Sequence, residues 1–213
     1  MGAAHLSIEQ LENGRVRIVA ESGIDGGAHT LATADLDPRE DGPGLQLELE
    51  ESRSFGPDGQ PRGILRIDHA RHLASCEAAR GGEPSVRSVA IPEPDRVANV
   101  PLNLFFLPLV RGEAERLDFQ FFLCGGGPRF VDFEAVRVAA GPRSAQTPIE
   151  VRYGPHLGRL LSLLAPRFLP RLSFWFDPAE PHRWLAHHLP LYSEGPEVFV
   201  IRDGISPRAL ANE

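Results

Sequence analysis

Leu45-Gln46-Leu47-Glu48-Leu49-Glu50-Glu51 alternates apolar and polar residues almost without a break. Successive side chains of an extended strand point to opposite faces. Leu45, Leu47 and Leu49 therefore share one face, and Gln46, Glu48 and Glu50 share the other. One oily face and one wet face describe an antiparallel sheet solvated on one side. The same period recurs in Leu117, Phe119, Phe121 and Leu123 against Asp118 and Gln120. It returns in Ile149, Val151 and Tyr153 against Glu150 and Arg152, and in Leu172, Phe174 and Phe176 against Ser173 and Asp177.

Turn chemistry separates these runs. Asn13-Gly14 stands between Leu6–Leu11 and Val16–Ala20, the signature of a hairpin. Gly56-Pro57-Asp58-Gly59 predicts a second hairpin, and Cys124-Gly-Gly-Gly-Pro128 divides Leu117–Leu123 from Phe130–Val138. Gly141-Pro142 closes that last strand. Its alternation slips between Val131, Phe133, Ala135 and Val136, Val138, which predicts a β-bulge near Ala135. Residues 79–94 are rich in Pro, Gly and charge and predict an exposed loop.

Two segments carry helical spacing. Leu157, Leu160, Leu161 and Leu164 follow i, i+3, i+4, i+7 between Pro155 and Pro166. Leu102, Phe105, Phe106 and Leu109 do the same, with Pro108 limiting the helix to about two turns. The predicted architecture is all-β and mainly antiparallel: a single strongly curved sheet or half-open barrel with two short helices. A single domain over 1–213 is expected, with the 79–96 loop as its one weak boundary.

Composition narrows the function. The chain has 213 residues and a formal charge of -7, and 21 Gly with 20 Pro favour short strands and turns over long helices. All 22 basic residues are arginine, which excludes lysine Schiff-base chemistry. The acidic balance argues against a nucleic-acid partner. Residues 1–10 show neither the basic nor the apolar part of an export signal. The apolar run Val100–Val110 is too short to span a bilayer as a helix, so no transmembrane segment is expected. Cys76 and Cys124 are the only cysteines; they fit either one disulfide or two small buried hydrophobes.

Val151 to Phe176 holds Arg152, Arg159, Arg167 and Arg171 and no acidic residue. It ends in the aromatic Phe174-Trp175-Phe176. One sign of charge beside an apolar surface suggests a contact site. The expected ligand-binding set is Arg152, Arg159, Arg167 and Arg171 as an anion rim, with Trp175, Phe105 and Phe106 as apolar lining.

Other candidates carry less chemistry. Asp68, His69 and His72 offer metal-ligand types, but in a strand His69 and His72 face apart. His182, His187 and His188 lack a metal motif and suit a wetted face or a pH-sensitive contact. Cys76, read as a nucleophile paired with His69 or His72, has no orienting third group. The glycines at 125–127 are not followed by the Lys of a phosphate loop. Asp132 and Glu134 share one strand face, which more often marks solvent than paired acid–base catalysis. No catalytic, metal or cofactor site is expected.

The later features run in order: Val100-Pro-Leu-Asn-Leu-Phe-Phe-Leu-Pro108, a strand pair around Cys124–Phe130, Ile149-Glu-Val-Arg-Tyr153, Leu172-Ser-Phe-Trp-Phe-Asp-Pro178, Trp184, and Val198–Arg202. This order resembles the DUF3108 group of bacterial β-rich proteins of unknown function, over about the last half of the chain. The resemblance implies a curled, half-open antiparallel sheet and a place in the periplasm or cell envelope, and it brings no catalytic residues. A cytoplasmic location is the alternative. The resulting functional expectation is a non-enzymatic protein that binds an apolar or anionic lipid-like amphiphile or acts as an envelope scaffold. The alternatives are a protein–protein interaction module, and a hydrolase or isomerase on a β-barrel.

Overall fold

A computed structural model of the chain describes residues 2–24, 27–38, 45–78, 85–138, 147–156, 172–190, 197–206 and 210. Seven strands come first: β1 (Gly2–Gln10), β2 (Val16–Ile24), β3 (His29–Pro38), β4 (Leu45–Phe55), β5 (Pro61–Asp68), β6 (Leu73–Ala78) and β7 (Ser85–Ala90). Two short helices follow, α1 (Leu102–Phe105) and α2 (Leu107–Arg111). Six strands complete the described fold: β8 (Arg116–Leu123), β9 (Arg129–Arg137), β10 (Ile149–Pro155), β11 (Leu172–Phe176), β12 (Trp184–Pro190) and β13 (Glu197–Ile201).

These strands form two open antiparallel sheets. One runs in the order β1-β2-β3-β4-β5-β6-β7, the other β13-β12-β11-β10-β9-β8. Each is a meander in which every strand pairs with its neighbour in sequence. The all-β antiparallel expectation holds, but the single curled sheet or half-open barrel does not. Period-two alternation says which face a residue takes; it does not say which sheet the strand joins.

The chain divides into two compact units. The first comprises Met1–Pro101, Phe121–Phe130 and Leu191–Pro196; the second comprises Leu102–Gln120, Val131–Pro190 and Glu197–Glu213. The β8–β9 hairpin contributes to both. Phe119 is fully buried with the second unit, while Phe122 is fully buried in a first-unit cluster with Ile67, Ala74, Ile91 and Val97. The expected face of Leu117, Phe119, Phe121 and Leu123 thus breaks, since Phe122 rather than Phe121 is the buried ring.

The expected turns at 13–14 and 56–59 are present. Gln10 pairs with Val16 across a 3₁₀ turn at Glu12–Gly14, where Gly14 adopts φ 78. The second hairpin closes through Gly59 N–H to Gly56 O and Gly56 N–H to Gln60 O, each 2.9 Å. Pro108 sits in the first turn of α2, where its missing N–H breaks no helical bond. Gly112 ends the helix in the left-handed region, donating to the Leu109 and Pro108 carbonyls.

Other expectations need correction. Residues 85–90 are not loop but the exposed edge strand β7. On its β10 side no register shift accompanies Ala135, because β9 runs in step with β10 from Phe133–Pro155 to Arg137–Val151. Val136 is simply an apolar residue on the solvent side, 37% exposed. The helix expected over 157–164 and the turn at 141–142 lie outside the described residues.

The most consequential irregularity lies in β4. Asp35 pairs with Leu49 and Leu36 with Leu47, so Glu48 is an extra residue between them. A bulge swaps the faces of everything beyond it. Leu47 packs in a cluster with Ile18, Ala34 and Leu36, whereas Leu49 shares the opposite face with Asp35. Glu50 turns inward and is 0% exposed, contrary to the wet-face expectation.

Glu50 survives burial because the surrounding chain supplies donors. Its Oε2 accepts the N–H groups of Asn99, at 2.8 Å, and Val100. Its Oε1 lies 2.7 Å from His69 Nε2. Asn99 extends the network, since its Nδ2 donates to Phe122 O and its Oδ1 accepts from Phe122 N–H, both at 2.9 Å. The metal reading of Asp68, His69 and His72 gives way to this role for His69, while His72 is exposed in the turn with φ 52.

Cys76 and Cys124 form a disulfide across 48 residues of sequence. That bond fastens the β8–β9 turn to β6 within the first unit. The nucleophile reading of Cys76 is thereby replaced.

Glu50→Ala is expected to destabilise the protein by about 3–5 kcal/mol, because two buried N–H groups and His69 lose their partner. Urea unfolding of the variant checks this; a loss below about 1 kcal/mol would mean the carboxyl is dispensable. Cys76→Ala with Cys124→Ala is expected to lower stability by roughly 4 kcal/mol from loop entropy. Intact protein should take up alkylating reagent at both cysteines only after reduction.

Candidate functional site

Strand registry gives β9–β13 two unlike faces. On one, Phe133, Tyr153, Phe174 and Phe176 are buried, with Phe106 from between the helices and Phe119 of β8 packed among them. Phe106 lies 5.3 Å from Tyr153 and 5.5 Å from Phe174, ring centroid to centroid. Burial in this cluster pushes the Tyr153 phenol up. Of the expected apolar lining, Phe106 is therefore a core residue, and Phe105 is half-buried against Phe119 at 5.2 Å.

The other face is built from two rows of paired residues. Val136, Arg152, Ser173, His188 and Phe199 face one another in turn across five strands. Glu150, Trp175, Ala186 and Ile201 form the next row. Registry brings Arg152 and Trp175 onto one surface. Arg159, Arg167 and Arg171 lie outside the described residues.

Several polar groups of this face hold one another, while the buried Trp175 Nε1 has no hydrogen-bond partner among the described residues. Arg152 donates through Nε and Nη2 to the two oxygens of Glu150, at 2.7 and 3.2 Å. Ser173 Oγ donates to Glu150 Oε1 at 3.1 Å. Glu150 is 4% exposed, so the pair has one sheltered and one wet partner. His188 Nε2 lies 3.2 Å from Glu197. Beside these pairs, Trp175 meets Phe199 edge-on at 5.3 Å and packs with Leu185, Ala186, Ile201, Ile205 and Leu210. Phe199 leaves 46% of its surface in solvent.

Further along the same face, Arg116, Asp118, Glu134 and His156 converge. One ligand atom from each of Asp118, Glu134 and His156 falls within 4.8 Å of the others. Two carboxylates and an imidazole are suitable donors for a divalent cation. Here, however, Arg116 contacts all three: Asp118 at 2.5 Å, Glu134 at 3.2 Å and His156 Nδ1 at 3.0 Å. Its hydrogen bond to Asp118 holds the guanidinium's pKa up. The guanidinium takes the place a cation would need. The paired-carboxylate reading also separates, since Asp132 accepts from Gln120 Nε2 while Glu134 meets Arg116.

The three late histidines do not converge. His182 sits in a turn at φ 55, its Nδ1 donating to Asp177 O. His188 faces the mixed surface, and His187 faces the aromatic one between Phe174 and Trp184. Sequence reasoning named Arg152 and Trp175 but missed Ser173, His188, Glu197 and Phe199 as their neighbours. The β-branched Glu197-Val-Phe-Val-Ile201 was a strand signal, but only pairing shows which strands adjoin.

No family model matches this chain, and neither a curated protein nor a solved structure does. The DUF3108 resemblance therefore rests on the residues of the later half alone. No helix among the described residues is long and apolar enough to cross a membrane.

Burial pushes the His187 imidazole down from 6.5 to about 4, with His188 adding to the effect. An unfolded chain takes up a proton between those values while the folded one does not. The contribution of neutral His187 is complete above pH 6.5 and is lost as pH falls toward 4. Partial contact with solvent limits it to about 1–2 kcal/mol. His187→Phe is expected to flatten the fall in stability over that interval by this amount. Unfolding curves at several pH values check it, and an unchanged slope contradicts it.

Proposed function

We propose that this protein is a non-enzymatic protein–protein interaction module, using the mixed face of β10–β13 to hold a polypeptide partner. The observation that carries the reading is exposed Phe199, packed on Trp175 and bordered by the Arg152–Glu150 and His188–Glu197 pairs. Aromatic and arginine anchors beside polar groups are the composition of protein interfaces. A partner ring or aliphatic chain covers Phe199, while main-chain groups meet the Arg152 and His188 edges. The disulfide supports work in an oxidising compartment, such as the envelope.

An amphiphile carrier is the less favoured reading. An acyl chain would need the apolar face of the sheet as its chamber. That face is occupied by the protein's own rings, in contact at 5.2–6.3 Å between centroids. A hydrolase or isomerase is less favoured too, because Arg116 ties up both carboxylates of the Asp118, Glu134 and His156 group, the one such group among the described residues.

Chemical cross-linking of the intact protein in a bacterial envelope fraction tests the proposal. Partner cross-links are expected to map to β10–β13, and Phe199→Ala or Arg152→Glu should reduce them about tenfold or more. Cross-links unaffected by both changes, in variants with wild-type melting, would remove the reading. Bound lipid seen by native mass spectrometry at constant stoichiometry would replace it with the carrier.

A further inference from the structure

The two sheets present four edges among the described residues: β1, β7, β8 and β13. Three carry features that discourage pairing with another chain. Strand β13 is five residues long. Strand β7 is six residues long and carries Arg87, and β8 carries Arg116 and Asp118. Strand β1 differs. It is nine residues long, has no proline, lysine or arginine, and pairs with β2 without a register shift from Gly2 to Gln10. An edge so long and regular is a template for another strand.

Its side chains sharpen the point. Leu6 is 43% and Ile8 63% exposed. Ile8 pairs with Ile18, which is buried at 2%, so Leu6 and Ile8 extend the core-facing side of the sheet beyond its covered part. His5, Ser7 and Glu9 occupy the other side.

We propose that β1 is the contact edge of a homodimer, in which the β1 strands of two copies pair antiparallel about a two-fold axis at Ser7. This registry sets Leu6 against Ile8 of the second copy, twice, on the core-facing side. On the other side it sets His5 against Glu9 of the second copy, twice, with Ser7 against itself. Centring on Leu6 would instead face Ile8 with Ala4, and centring on Ile8 would face Leu6 with Gln10. Only the Ser7 centre matches both apolar residues and both polar partners. An axis perpendicular to the sheet keeps each side chain on its own side, so the two seven-stranded sheets become one continuous sheet. The occupant is a second copy because the strand is complementary to itself. The surface belongs to the first unit and is independent of the partner face proposed for β10–β13.

The test uses the full chain with its disulfide intact. Sedimentation equilibrium over a micromolar concentration series is expected to show a dimer. Ile8→Lys should raise the dissociation constant by about tenfold or more while leaving the circular dichroism spectrum unchanged. Ser7→Cys should form a disulfide-linked dimer under mild oxidation, because residue 7 faces itself at the axis. Glu9→Cys alone should not, whereas a mixture of Glu9→Cys and His5→Cys chains should. A monomer at every concentration overturns the proposal. So does a dimer that tolerates Ile8→Lys, which would use another edge. A dimer lost in Ile8→Lys but not cross-linked through Ser7→Cys overturns the registry.

Discussion

A carboxyl group without water must find donors, and Glu50 brings that demand into the centre of the seven-stranded sheet. Registry lines up Ile18, Ala34, Glu50, Ile67 and Ala74 across β2 to β6, all of them buried. Four of these pack by shape and oiliness alone. The fifth costs several kcal/mol to bury unless its oxygens are satisfied. The chain after β7 answers by laying the Asn99 and Val100 N–H groups against one oxygen. His69, from the turn after β5, meets the other. An apolar residue at position 50 would have let residues 97–100 settle in many ways. The carboxyl admits few, because hydrogen bonds are directional and burial makes them costly to lose.

From that point order passes along the backbone. Asn99 presents its amide to Phe122 as a neighbouring strand would, giving and taking one hydrogen bond. The Cys76–Cys124 bond holds the same turn by covalent means. Together they explain how one strand serves two cores, with Phe119 in the second unit and Phe122 in the first. Hydrophobic burial supplies the bulk of the free energy and favours registries that keep apolar residues on the covered face. The polar network and the disulfide sharpen that choice, because their geometry is directional.

The second unit separates packing from display. Its aromatic face is consumed by ring-on-ring contact and leaves little for a ligand. Its other face ties charges into pairs and leaves Phe199 partly bare. Glu150 illustrates the division. It lies on the side the alternation marks as wet, yet Trp175 beside it and Ser173 diagonally opposite bury it to 4%. Burial is tolerable there because Arg152 reaches in from solvent with two hydrogen bonds.

Much of this fold was legible along the chain. The strand segments and their antiparallel sense follow from period-two alternation, and the hairpins at Asn13-Gly14 and Gly56–Gly59 follow from turn chemistry. Those are local signals, set by backbone sterics within a few residues. Arg152 and Trp175 stood out as candidates for the same reason, since charge and aromaticity are visible in one dimension. Neighbours contributed by other strands were not, because nothing local says which strand will lie alongside. The bulge at Glu48 hid for a related reason: seven alternating residues look regular until a partner strand omits one. What the sequence alone determined is therefore the kind of element at each place and the chemistry it carries. The division into two open sheets, the inward turn of Glu50 and the assembly of the mixed face were decided only in three dimensions, because registry between distant strands is chosen by the total of buried contacts and satisfied donors.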